Sequence, residues 1–139
     1  MKVLFDTNVV LDVLLDREPF SGPASILFTK VEKGEFIGVL CATTLTTVHY
    51  LHSKTAKQKE VTENLCLLLE LFEVAPVDNK VLTQALASKI SDYEDAVLEE
   101  AGKRSGAGIL LTQDRKGFKH SSLKVHDPEQ FLKILKTLV

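Results

Sequence analysis

Short apolar runs and longer amphipathic segments alternate along this chain. The short runs have the length of strands and are KVLF, FIGVLC, a stretch near FEVAPV, AGILLT and LKVHD. The longer segments have apolar residues at helical spacing and are NVVLDVLLD, SGPASILFTKVEKGE, TTLTTVHYLHSK, KQKEVTENLCLLLELF, KVLTQALASKI, YEDAVLEEAGKRSG and PEQFLKILKTL. This alternation predicts an α/β domain whose mostly parallel sheet of about four or five strands is covered by helices on both faces.

Polar residues and glycines between the segments predict where the helices begin and end. Asp92 stands directly before an amphipathic segment, which is typical of an N-cap. Ser21 is expected to cap the second helix, and Gly34 is expected to end it. Thr43 or Thr44 is expected to cap the third helix, which follows the second strand.

Composition and charge exclude several classes of protein. The 139 residues fit a single domain over residues 1–139. A formal net charge of −2 gives no overall basic field of the kind seen in many non-specific DNA-binding proteins, and it leaves a local basic patch possible. Asp6, Asn8 and Asp12 interrupt the apolar core that a signal peptide needs, and no apolar run is long enough for a membrane helix. We therefore expect a cytoplasmic protein that makes no membrane contact.

Acidic residues stand at the ends of two predicted strands. Asp6 directly follows VLF, and Asp114 follows ILLTQ. The carboxyl ends of parallel strands meet at one edge of a sheet, where ligands of such folds bind. The segment SDYEDA adds Asp92 and Asp95, which are three residues apart and share a helix face, whereas Glu94 is expected to point away.

Carboxylates that converge in this way repel each other, and a divalent cation removes the repulsion. An all-oxygen site suits Mg²⁺ or Mn²⁺, which lowers the pKa of a bound water and neutralises charge on a phosphoryl group. Each acid also has a simpler interpretation. Asp6 and Asp92 fit N-caps, Asp95 fits a first-turn acid favoured by the helix dipole, and Asp114 fits a turn. Their joint placement at one sheet edge favours the metal site.

Three stretches of the sequence together resemble a known family. VLFDTNVVLDVLLDREPF, SDYEDAVLEEAGKRSGAGILLTQDRKGF and PEQFL are similar to the corresponding parts of PIN domains, a family of metal-dependent ribonucleases. The resemblance covers nearly the whole chain and is greatest to the bacterial branch related to VapC toxins. It implies a three-layer α/β/α sandwich with catalytic, metal-binding acids at Asp6, Asp95 and Asp114, and with Asp92 as an additional member.

The resemblance also implies supporting residues, and it has one departure. Asn8 and Thr112 occupy polar positions that commonly support the site. The family typically has a glutamate in the helix after the second strand, where this chain has Thr47. The Thr47 hydroxyl could bind directly or through water but supplies no charge, and Asp92 would compensate only in part. This departure favours an alternative in which a degenerate PIN domain binds RNA or a protein.

A basic cluster follows the last of these acids. Arg115, Lys116 and Lys119 come directly after Asp114 and would contact the phosphates of a nucleic acid, although such a run is often just a solvated loop. From the resemblance we expect single-stranded RNA as substrate, a small antitoxin as a partner if the chain is a toxin, and a homodimer.

Two other classes of protein also place an acid after the first strand. A haloacid dehalogenase-type phosphatase needs a second aspartate two residues after Asp6, where this chain has Asn8. A phosphorelay receiver pairs acids at its first strand and has a lysine at a later one, and neither arrangement is present. The favoured hypothesis is a Mg²⁺- or Mn²⁺-dependent endoribonuclease with one or two metal ions.

Overall fold

The computed structural model describes residues 1–138, which form five strands and seven helices. The strands are β1 (Lys2–Phe5), β2 (Ile37–Cys41), β3 (Glu73–Ala75), β4 (Ile109–Leu111) and β5 (Lys124–His126). The helices are α1 (Thr7–Leu14), α2 (Ser21–Glu32), α3 (Ala42–His52), α4 (Gln58–Leu71), α5 (Asn79–Leu86), α6 (Tyr93–Arg104) and α7 (Pro128–Thr137). Among them, no helix has both the length and the apolar character needed to cross a lipid bilayer.

The five strands form one parallel sheet in the order β3-β2-β1-β4-β5. Leu4 in the central strand β1 pairs with Val39 of β2 on one side and Leu110 of β4 on the other. The chain first builds the sheet outward from β1 through β2 to β3, and then adds β4 and β5 on the opposite side. The order therefore reverses between β1 and β4, and ligands of open α/β sheets bind at such a reversal.

Alternating side chains of β1 enter two separate cores. Val3 and Phe5 are fully buried on the face covered by α1, α2, α3, α4 and α7. Leu4 is fully buried on the opposite face, among side chains of α5 and α6. Because successive side chains of a strand point to opposite faces, a strand buried on both sides is a continuous apolar run. The predicted α/β class and three-layer arrangement are confirmed.

Helix α6 packs closely on the central strand through a glycine. A Cβ atom at Gly102 would lie 2.5 Å from a methyl group of Leu4, so a larger residue would push the helix from the sheet. Asp92 directly precedes the amino end of α6. Its Oδ1 accepts a 2.9 Å hydrogen bond from the Asp95 amide, as expected for an N-cap. Close packing therefore holds the acidic first turn of α6 in a fixed position relative to β1.

The end of α2 follows the sequence prediction, but its beginning does not. Gly34 follows the helix with φ of +75°, a conformation that glycine adopts readily. Phe20, not Ser21, is the residue that precedes the first turn, because the preceding loop already has a helical conformation there. The Ser21 hydroxyl instead donates a 3.2 Å hydrogen bond to the carboxylate of Glu18.

Helix α3 also begins earlier than predicted. Cys41 is both the last residue of β2 and the N-cap position, so Thr43 and Thr44 lie inside the first turn and do not cap it. The Thr44 hydroxyl shares a 2.8 Å hydrogen bond with that of Thr7 in α1. This bond joins the two helices that follow the neighbouring strands β1 and β2.

Candidate active site

Asp6 lies immediately beyond β1 and is almost completely buried, with 5% of its surface exposed. Its amide donates a 2.9 Å hydrogen bond to the carbonyl of Leu111, which extends the pairing of β1 and β4 by one residue. Its carboxylate accepts a 2.7 Å hydrogen bond from the buried Thr112 hydroxyl. Asp6 occupies the N-cap position of α1 in an extended conformation, but within the described residues its side chain accepts no capping hydrogen bond. Asp6 therefore has the backbone position of an N-cap, while its carboxylate is hydrogen-bonded to Thr112 instead.

The surroundings of Asp6 act on its pKa in opposite directions. Burial raises the pKa most strongly, because the charged carboxylate loses hydration. Hydrogen bonds from the Thr112 side chain and the Thr7 backbone lower it, and the negative charges of Asp114 and Glu94 raise it again. The net effect is a pKa above the ordinary aspartate value. A cation close to Asp6 would favour its charged form.

Asp114 lies in the turn after β4 and is exposed. Its amide donates a 2.9 Å hydrogen bond to the Thr112 hydroxyl, and its Oδ1 accepts a 3.0 Å hydrogen bond from the Gly117 amide. A Cβ atom at Gly117 would lie 2.5 Å from the other oxygen of Asp114. The turn therefore holds this carboxylate beside the Gly117 amide, and a side chain at position 117 would displace it.

The first turn of α6 contributes Asp95, which is partly buried. The pKa of Asp95 is raised to about 7, mainly by burial and in addition by the negative charges of Asp6, Asp92, Asp114 and Glu94. Such effects are strong only over short distances. The four acids proposed from the sequence, together with Glu94, therefore form one electrostatic cluster.

A cavity of about 170 Å³ lies between α3 and α6 and is bordered by Asp6 and Asp95. Glu94 and Thr47 line the same cavity, and the Thr47 hydroxyl donates a 3.2 Å hydrogen bond to Glu94 Oε1. The prediction that Glu94 points away from the site was wrong. It considered only one face of α6, whereas the cavity extends towards α3 and is reached from both sides of the first turn. Asn8 also borders this cavity.

A second, wider cavity of about 600 Å³ has Asp114 and Asn8 in its wall. Asn8 thus borders both cavities, and Asp114 is reached from the second one. Arg17 also lines this cavity, with its guanidinium 3.7 Å from the carboxylate of the buried Asp12. Asp92 borders neither of these two cavities and acts on the cluster through its charge and its cap.

Asp12, which was not predicted as a site residue, also lines the wider cavity. Its carboxylate is 3% exposed, and it accepts a 3.4 Å hydrogen bond from the Gln113 side chain. Burial raises the pKa of Asp12, while the hydrogen bond from Gln113 and the charge of Arg17 lower it. A charged residue within the apolar stripe of α1, beside Val9 and Leu11, was the sequence signal that could have revealed it.

The basic cluster lies on the loop that continues from Asp114. Arg115, Lys116 and Lys119 are all exposed, whereas Phe118 between them is 1% exposed and belongs to the core beneath the loop. The phenyl ring therefore fixes the loop while the cationic side chains extend into solvent. This position allows contacts with an extended polyanion that enters the acidic site.

The donor set of the cluster has the chemistry that Mg²⁺ or Mn²⁺ prefers, since it consists of oxygen atoms and carries several negative charges. Over residues 1–138 no three Asp, Glu, His or Cys side chains are already grouped closely enough to hold a metal ion. Burial is the main cause of the raised pKa values of Asp6 and Asp95, and the negative charges of neighbouring acids raise both further. A bound cation would remove the repulsion between these charges, so the residues are suited to hold Mg²⁺ or Mn²⁺.

The family of the chain follows from its sequence. The model of a family described as the PIN domain matches residues 2–116, so the chain belongs to the PIN domain family. This confirms the resemblance that the acidic stretches suggested. No curated protein matches the chain by sequence.

Solved structures with the same fold include components of toxin–antitoxin complexes. The VapBC2 complex of Rickettsia felis bound to promoter DNA contains a chain with a TM-score of 0.67 and 15% identity, over 91% of this chain and 98% of that one. FitAcB of Neisseria gonorrhoeae has a TM-score of 0.67 and 19% sequence identity, over 91% of this chain and 98% of that one. VapC20 of Mycobacterium tuberculosis, a toxin that cleaves the sarcin–ricin loop, has a TM-score of 0.67 and 13% sequence identity, over 88% of this chain and 98% of that one. At these identities the likeness concerns the fold.

Proposed function

We propose that this protein is a Mg²⁺- or Mn²⁺-dependent endoribonuclease that hydrolyses phosphodiester bonds of single-stranded RNA. The observation that carries the proposal is the acidic cluster of Asp6, Asp95 and Asp114 at the carboxyl ends of β1 and β4, in a chain that belongs to the PIN domain family. Metal-assisted activation of water for attack on a phosphodiester uses negative oxygen ligands of this kind, in a crevice that solvent and substrate can reach.

Each residue of the cluster has a role in this proposal. Asp6, Asp95 and Asp114 would hold the cation, with Asp92 as an outer acid that caps α6 and adds charge. When bound, the cation supplies Lewis-acid activation of water and charge neutralisation at the phosphoryl group. The Thr112 hydroxyl orients the Asp6 carboxylate by donating to Oδ2.

The remaining polar residues would serve the substrate. Asn8 borders both cavities and can donate an amide hydrogen to a phosphate oxygen between them. Arg115, Lys116 and Lys119 extend from the loop after Asp114, where they would contact phosphates that flank the scissile bond. The Thr47 hydroxyl supports the acidic wall of the smaller cavity.

The proposal includes a partner protein. The fold is shared with chains of the VapBC and FitAB complexes, and this supports a toxin whose crevice is occluded by a small antitoxin. We further propose a homodimer, which light scattering of the purified chain would test. Expression of the wild-type chain alone should arrest growth of a bacterial host, whereas Asp6→Asn should be tolerated.

RNA cleavage by wild type and Asp6→Asn tests the nuclease directly. Single-stranded RNA would be incubated with each protein in Mn²⁺, in Mg²⁺ and in a chelator. Asp16→Asn is a matched control, since Asp16 is exposed, borders neither cavity, and has φ of +47°, which asparagine tolerates. We expect cleavage by wild type and Asp16→Asn with metal, and none in the chelator or with Asp6→Asn. Wild-type cleavage that persists in the chelator would contradict the metal-dependent mechanism.

The second candidate function is that of a degenerate PIN domain that binds RNA or a protein. It is favoured by Thr47, which stands where the family typically has a glutamate. In that case wild type would cleave no RNA under any cation, and calorimetry would detect no Mn²⁺ binding. Retained RNA binding under the same conditions would then identify the chain as a binding module.

A further inference from the structure

A hydrogen bond connects the position of the missing glutamate with a carboxylate from another helix. Thr47 belongs to α3, which packs on one face of the sheet, and Glu94 belongs to α6, which packs on the other. The Thr47 hydroxyl donates to Glu94 Oε1 at 3.2 Å, so the two helices meet above the carboxyl edge of the sheet. Residues 47 apart in the sequence are brought together at this one point.

Glu94 belongs to the same local environment as the principal acids. It borders the 170 Å³ cavity together with Asp6 and Asp95. A glutamate side chain at position 47 would enter this cavity from α3, because Thr47 already lines it. The cavity therefore receives a carboxylate from α6 where the family pattern provides one from α3.

A simpler explanation for Glu94 exists and makes a different prediction. Acids in the first turn of a helix are favoured by the partial positive charge of its amino end. In that case Glu94 would contribute to α6 alone, as Glu129 contributes to α7. Its removal would then leave cation binding unchanged.

We propose that Glu94 replaces the missing glutamate as a cation-binding carboxylate, and that the Thr47 hydroxyl positions it. The inference rests on the proposed function, since it assigns a further ligand to the same metal site. It explains how the proposed metal site keeps its number of carboxylates with threonine at position 47. A glutamate at that position would place a second carboxylate beside the one from α6, and a threonine hydroxyl donates a hydrogen bond to it instead.

Mn²⁺ affinity measured by calorimetry on the full chain tests this assignment. The variants are Glu94→Gln, Thr47→Val, and the exchange Thr47→Glu with Glu94→Gln, which moves the carboxylate from α6 to α3 at constant net charge. Glu129→Gln is the matched control for a first-turn glutamate. Titrations in about 0.5 M KCl screen charge effects that do not need direct contact. Circular dichroism confirms that each variant is folded.

We expect Glu94→Gln to weaken Mn²⁺ binding by about tenfold or more, and Thr47→Val by a smaller factor. The exchange variant should recover most of the wild-type affinity, and Glu129→Gln should bind as wild type does. Wild-type affinity in Glu94→Gln, combined with lost binding in Asp95→Asn, would overturn the role of Glu94 and leave the proposed function intact. Failure of wild type itself to bind Mn²⁺ would overturn both.

Discussion

The Thr112 hydroxyl joins the acids that follow two neighbouring strands. It donates a 2.7 Å hydrogen bond to the carboxylate of Asp6 after β1 and accepts a 2.9 Å hydrogen bond from the amide of Asp114 after β4. The hydroxyl itself is completely buried. One side chain therefore fixes the relative position of two acids that are more than a hundred residues apart in sequence.

Thr112→Val should destabilise the protein, and more strongly at high pH than at low pH. Valine has a similar shape but leaves the buried Asp6 oxygen without its donor, which costs about 1–3 kcal/mol. Because that donor lowers the pKa of Asp6, its loss should raise the pKa further and make the destabilisation greater at high pH than at low pH. Urea denaturation at two pH values measures both effects. Thr112→Ser keeps the hydroxyl, and equal stability of the two variants would contradict this role.

Asp95→Asn should change how stability depends on pH. The folded-state pKa of Asp95 is raised to about 7 from an ordinary value of 3.8, so the folded state holds a proton that the unfolded state releases. The free energy of unfolding of the wild type should therefore fall as pH rises between these values, and level off above about 7. Asparagine cannot ionise. At high pH the free energy of unfolding of the variant should therefore exceed that of the wild type by on the order of 1 to 2 kcal/mol, allowing for solvent screening.

The measurement for Asp95 is urea denaturation across this pH range in a chelator. Saturating Mn²⁺ should remove the decrease in wild-type stability, because a cation near Asp95 favours its charged form. Parallel pH profiles of wild type and Asp95→Asn without metal would contradict the raised pKa.

Gly117→Ala should reduce RNA cleavage more than it reduces stability. The new Cβ atom would lie 2.5 Å from the Asp114 carboxylate, which must then move from its place beside the Gly117 amide. The turn is at the surface, so the change in unfolding free energy should be below about 1 kcal/mol, while misplacement of the acid should lower cleavage about tenfold or more. Cleavage rates and thermal unfolding separate the two effects.

The control for this substitution is Gly108→Ala, at the opposite end of β4. A Cβ atom at Gly108 would contact nothing within 4 Å. This variant should cleave RNA at the wild-type rate. If Gly117→Ala retains full activity, then the position of Asp114 in this turn is not needed for cleavage.

Lys116→Gln with Lys119→Gln should weaken RNA binding and its dependence on salt. Each phosphate contact that is lost should reduce the slope of log affinity against log salt by about 0.7 for a single strand. Fluorescence anisotropy with Asp6→Asn as the background measures binding without cleavage. Lys33→Gln, at an exposed lysine after α2 at the opposite edge of the sheet, is the control for the loss of one positive charge away from the site. If the Asp6→Asn background, the double lysine variant and the Lys33→Gln variant have equal salt slopes, then RNA does not bind at Lys116 and Lys119.

Much of the fold could be predicted because its signals are local. A strand such as Lys2–Phe5, buried on both faces, must be apolar throughout, and an N-cap such as Asp92 must precede its helix directly. The predictions failed where the tertiary structure fixed the boundary. Helix α3 begins directly after Cys41 because β2 ends there, and Thr44 is then used in a bond to Thr7 instead of a cap.

By itself the sequence determined the order of strands and helices and the family. It also indicated Asp6 and Asp114, which follow apolar strands, and Asp95, which stands at the start of a helix, because such positions are visible without coordinates. Only the tertiary structure decided that Glu94 reaches the site. Helical periodicity describes one helix alone and assigned Glu94 to a different face from Asp95. The cavity is formed by two helices from opposite faces of the sheet, and Thr47 on the second helix provides the hydrogen bond that holds Glu94 there.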